Sequence, residues 1–208
     1  MSIIINHWNS LERWSPTLFL IGGVLVIGHA AIRGVEAFTD LAPPPDVFGP
    51  LGYLLVFLGL LGLCRTLLEQ TPKMARLYAA VTAITLVGWT VISAVTFAEV
   101  AGLLSLQSSI LPGGFYIVHI LMVVLAYVMV GVSSPHAGVH SRTTGFLLLL
   151  PALLFTALMM GSAVSGTFAI GSFVIGTAQA LAHLAIGEVL RASSLDGSQT
   201  PSGDTATG

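Results

Sequence analysis

The stretch "PTLFLIGGVLVIGHAAIRGVEAF", residues 16–38, decides the fold. A bilayer-crossing helix needs about 20 predominantly apolar residues, and this segment supplies them with three ionisable side chains, His29, Arg33 and Glu36, gathered toward its end. Apolar for most of its length and polar at one tip, it reads as a span whose C-terminal end approaches water.

The rest of the chain repeats the first half of that pattern. Hydrophobic residues make up 55% of the sequence and charged ones 8%, with a mean hydropathy of +0.94. A soluble domain carries about a quarter charged residues, and no soluble fold of this size could hide so much apolar surface. Five further segments reach spanning length, roughly 47–68, 74–100, 115–134, 144–165 and 167–190, divided by turn chemistry such as "DLAPPPDVFGP", "EQTPK" and "LQSSILPGG". The expected fold class is therefore all-α: a polytopic integral membrane protein built as a six-transmembrane-helix bundle. Pro151 lies inside span five and should bend it.

Basic residues orient the bundle. Six of the seven, Arg13, Arg65, Lys73, Arg76, Arg142 and Arg191, fall on one side, while Arg33 shares the other with Glu36, Asp40, Asp46 and Glu99. The positive-inside rule puts the first group, and both termini, in the cytoplasm. Residues 1–15 are expected to form a cytoplasmic interfacial segment, with Trp8, Leu11 and Trp14 laid along the inner membrane surface. Residues 16–192 form the membrane domain, and the polar residues 193–208 read as a disordered cytoplasmic tail. A preference for Arg over Lys points to a prokaryote and hence to its cell membrane. The expected partners are the bilayer and other membrane subunits or further copies of this chain. A net charge of −2 speaks against nucleic acid.

Function has to be read from polar side chains inside the spans, because each is costly there and usually faces the bundle interior. His29, Arg33 and Glu36 are spaced i, i+4, i+7 and share one helix face. Thr82, Thr85, Trp89, Thr96 and Glu99 form a second stripe, on span three. Tyr116, His119 and Tyr127 form a third, on span four. His29 and His119 fall at similar depths from the outer ends of their spans. These stripes predict an outward-opening polar pocket made by His29, Arg33, Glu36, Glu99 and His119, with Trp89 and Tyr116 as walls. Gln179 and His183, an i, i+4 pair on span six, are expected to bond each other or a neighbouring carbonyl. Gly176 is expected at a close helix crossing, and Leu148 on the lipid face of span five. His136 and His140 belong to a solvated loop.

No Walker loop, HExxH or GxGxxG occurs, which points away from an enzyme. Cys64, the single cysteine, excludes an intramolecular disulfide and reads as a small apolar packing residue. A three-plus-three inverted repeat finds no support, since the polar positions of the first half do not recur in the second. The leading expectation is a non-enzymatic membrane protein that binds, senses or transports a small ligand in the outer pocket. The alternatives are an electron-transfer subunit holding one heme b between His29 and His119, and an accessory or assembly subunit whose polar residues only join helices.

Overall fold

The computed structural model describes residues 2–39, 41, 45–104, 111–136, 141–165 and 168–197. These form six helices: α1 (Ser2–Phe38), α2 (Phe48–Gln70), α3 (Pro72–Val100), α4 (Gly113–His136), α5 (Arg142–Ser165) and α6 (Phe168–Gly197). All six are long and apolar enough to cross a membrane, and no strand occurs among the described residues. Consecutive helices pack against each other, α6 returns to α1, and α2 also meets α4 across the middle. The result is a closed ring of antiparallel neighbours.

The first helix differs from the expected division at residue 15. It runs unbroken from Ser2 through Pro16, so the N-terminal segment continues span one. A proline removes one backbone donor from the ladder; next to it, the Ser15 hydroxyl donates to the Leu11 carbonyl at 3.1 Å. The helix of 37 residues is about 55 Å long, longer than the roughly 30 Å thickness of a hydrocarbon layer. At the other end of the chain α6 continues to Gly197, past the expected limit of span six, and residues 198–208 lie outside the described residues. Asp40 and His140 lie outside them as well. His136, exposed at the end of α4, shares a hydrogen bond of 2.8 Å with the Val132 carbonyl.

Helix crossings are set by glycine. A Cβ on Gly22 would lie 2.7 Å from the Gly52 carbonyl oxygen, and one on Gly145 would lie 2.8 Å from the Gly131 carbonyl. The α1–α2 and α4–α5 pairs therefore touch backbone to backbone, the close approach that small residues allow between apolar helices. Gly176 is looser. It faces Ala30 and His29 at 3.6 Å, which places it on the α1–α6 seam.

The interior holds aromatic and polar side chains together. Phe57 and Tyr127 meet edge to face at 5.2 Å, and the Tyr127 hydroxyl bonds His183 Nε2 at 2.8 Å. The Tyr53 hydroxyl donates to Gln179 Oε1. Gln179 and His183 thus reach tyrosines of α2 and α4 rather than each other: both are fully enclosed, and tyrosines projecting from the facing helices offer better-placed partners. Outward-facing side chains such as Val87, Ile117, Leu121, Leu153 and Val174 are exposed and apolar, which is compatible with a membrane helical bundle.

Leu148 is a correction. It is fully buried, not on the outer face. Span five is apolar on every side ("FLLLLPALLF", residues 146–155), so no polar stripe marks which side faces the bundle.

Candidate functional site

All six helices and the short loop before α2 converge on a single site. The C-terminal half of α1 presents His29, Arg33 and Glu36, and Asp46 stands just before α2. Asp46 Oδ1 accepts the N–H of Gly49 at 3.0 Å, which satisfies an orphan donor of the first helical turn. Its Oδ2 pairs with His29 Nδ1 and lies 3.8 Å from Arg33 Nη2. Arg33 Nη1 donates to Glu36 Oε2 at 2.7 Å. One carboxylate thus ties α1 to the start of α2. A Cβ on Gly49 would come within 2.7 Å of His29 Nδ1, so only glycine lets the imidazole lie against that turn.

Burial pushes the Asp46 carboxyl up. The His29 hydrogen bond and charge, the Gly49 N–H and Arg33 together outweigh it and hold the group below its ordinary value of 3.8. Stabilising the charged form by opposite charge and donors has that sign.

From this network a cavity of about 460 Å³ runs into the bundle, lined by residues of all six helices and of the loop before α2. Pockets of this size hold small organic molecules. Its floor and walls include Tyr53, Trp89, Tyr116 and Phe155. Tyr53 stacks on Trp89 with centroids 4.7 Å apart and leans on Phe155 at 5.3 Å. Three residues of the lining carry buried polar atoms with no partner among the described residues: Trp89 Nε1, Ser172 Oγ and Gln179 Nε2. An unsatisfied buried donor costs about 1–3 kcal/mol, so such atoms mark a place where something else supplies the partner.

Glu99 closes the wall on α3. It sits in the last turn of that helix; two residues past the helix end Gly102 has φ +71°, and its N–H donates to the Glu99 carbonyl at 3.0 Å. Glycine adopts that left-handed C-terminal conformation without steric cost.

Of the residues expected from sequence, His29, Arg33, Trp89, Glu99 and Tyr116 line the cavity. Glu36 acts on it only through Arg33. His119 is absent from the lining: it is buried behind Trp89, whose ring it meets edge-on at 4.8 Å, and it stacks on Phe115 at 5.8 Å. Gly88 makes room for it, since a Cβ there would stand 2.2 Å from His119 Nδ1. Ring contacts run from His29 to Tyr53 at 6.4 Å, then through Trp89 to His119, and no direct ring contact joins the two histidines. Of the span-three stripe, Trp89, Thr96 and Glu99 reach the cavity, while Thr82 and Thr85 are buried farther along the helix.

Asp46, Tyr53, Ser172 and Gln179 complete the site beyond that expectation. An aspartate three residues before a glycine at a helix start is a capping signal, and a lone tyrosine in "LGYLLVFLGLLGL" (residues 51–63) needs a partner for its hydroxyl in an apolar span. Both signals stand in the sequence; their partners do not. Among the described residues no group of three or more His, Cys, Asp or Glu side chains is placed to hold a metal ion. Comparison with protein-family models, with curated proteins and with solved structures finds no match.

Proposed function

We propose that this chain is a multi-pass protein of a prokaryotic cell membrane that binds a small ligand in the cavity, for sensing or transport, with both termini cytoplasmic and the cavity opening outward. The observation that carries this reading is the cavity itself: a volume of about 460 Å³ with apolar walls, a charged rim and unpartnered buried donors. The orientation draws support from the basic residues. The cavity lies at the end of the bundle that holds Arg33, and Arg13, Arg65, Lys73, Arg76, Arg142 and Arg191 belong to the opposite ends of their helices. A heme b between His29 and His119 has less support, because Tyr53 and Trp89 link the two imidazoles as a stacked pair and His119 is not part of the cavity wall.

Native mass spectrometry of the protein taken from its own host in lipid nanodiscs tests the reading. A non-lipid adduct is expected on the wild type and not on Leu158→Trp, which fills the cavity from α5. An adduct equally abundant on both proteins, with the same melting temperature, would place the ligand elsewhere and overturn the reading.

A further inference from the structure

The charges around the cavity are unequal in their partners. Arg33 is bonded to Glu36 at 2.7 Å and lies 3.8 Å from Asp46, and His29 is paired with Asp46. Each cationic side chain of the wall is thus already faced by a carboxylate. Glu99 is not so matched: it lines the same cavity and has no ion pair or hydrogen bond from its carboxylate among the described residues. No basic side chain remains to supply one, since Arg33 is the only Lys or Arg at this end of the bundle. The last turn of α3 adds to the imbalance, because the carbonyl end of a helix carries partial negative charge.

We propose that the cavity takes an organic cation, with its ammonium or similar headgroup against Glu99, its apolar body between Tyr53, Trp89, Tyr116 and Phe155, and a hydrogen-bond acceptor at its inner end facing Trp89 and Gln179. This rests on the reading of the cavity as a ligand site and assigns the ligand's chemistry. An anion finds no free positive charge in the wall. At the inner end the unpartnered groups are donors, the Trp89 Nε1–H and the Gln179 amide, and both residues are more than nine-tenths buried. Glu99 and Trp89 stand ten residues apart on α3, about 15 Å along the axis, so the two ends of the ligand are read by separate groups.

The test uses a matched pair of probes, phenylpropyltrimethylammonium and phenylpropanesulfonate, which differ in the sign of the headgroup. Binding is read from Trp89 emission in the full chain with Trp8→Phe and Trp14→Phe, which leaves Trp89 as the one indole. The cation should change the emission saturably. Glu99→Gln should weaken it by about tenfold or more, as loss of a partly desolvated charge contact implies, while Glu99→Asp keeps most of the affinity. Glu188→Gln at the opposite end should leave binding unchanged. Saturable binding of the sulfonate with none of the ammonium would overturn the cationic assignment and leave the cavity a ligand site. Cation binding indifferent to Glu99→Gln in a protein of unchanged melting temperature would overturn the role of Glu99. Absence of binding by either probe up to roughly 10 mM, weaker than any specific site, would also overturn the assignment; the adduct comparison with Leu158→Trp judges the cavity separately.

Discussion

Replacing Gly22 by alanine adds one methyl group where α1 and α2 touch backbone to backbone. The new Cβ would lie 2.7 Å from both the Gly52 carbonyl oxygen and Val56 Cγ2. Carbon–oxygen contacts ordinarily begin near 3.3 Å, so the helices must part by roughly 0.6 Å at that level. Neither neighbour yields cheaply: the oxygen belongs to the α2 backbone, and Val56 is fully buried. Overpacking of this kind costs about 1–3 kcal/mol. Alanine returns about 1 kcal/mol through its higher helix propensity, which leaves a net loss of about 1 kcal/mol. Gly176→Ala makes the same chemical change on α6 but meets Ala30 and His29 at 3.6 Å, an ordinary contact, and keeps the propensity gain of up to about 1 kcal/mol. The two variants should therefore move in opposite directions and differ by about 2 kcal/mol. Reversible unfolding in bicelles, followed by steric trapping, measures both. Gly22→Ala as stable as the wild type, or Gly176→Ala the weaker of the two, would refute the assignment of these crossings.

Leu148→Ala should destabilise the bundle by about 2–4 kcal/mol, the cost of a cavity at a fully buried site, whereas Leu153→Ala, whose leucine is 64% exposed, should stay within about 0.5 kcal/mol; melting in detergent separates them. For Asp46, a folded pKa below the ordinary 3.8 means that its contribution is fully present above that pH and is lost as the pH falls through the folded value. The stability difference between wild type and Asp46→Asn should therefore shrink as the pH is lowered below the ordinary carboxylate value; a difference that grows on that acidification would contradict the His29–Asp46–Arg33 network. Thr39→Cys, exposed just past α1, in a Cys64→Ala background, should react with an impermeant thiol reagent on intact cells; labelling only after permeabilisation would reverse the proposed orientation.

Most of the architecture and part of the site were legible in the sequence, for different reasons. Spanning length and near-absence of charge need no partner to be recognised, because each helix must satisfy its own backbone in hydrocarbon. The six helices, and the polar faces of α1 and α3, follow from that local rule, as does the pairing of Arg33 with Glu36 three residues on. What the sequence by itself could not determine were relations between helices. His29 and His119 share a depth, yet rotation of α4 about its axis sets His119 behind Trp89, and depth says nothing of rotation. Asp46 reads as a loop charge until α1 and α2 cross at Gly22 and Gly52 and bring it onto His29. Leu148 and Leu153 are the same residue in the same apolar run, and only the packing of α5 on α4 and α6 buries one and exposes the other. In a helix apolar on every side hydrophobicity has no direction, so the tertiary structure alone chooses the face, and with it which side chains meet in the cavity.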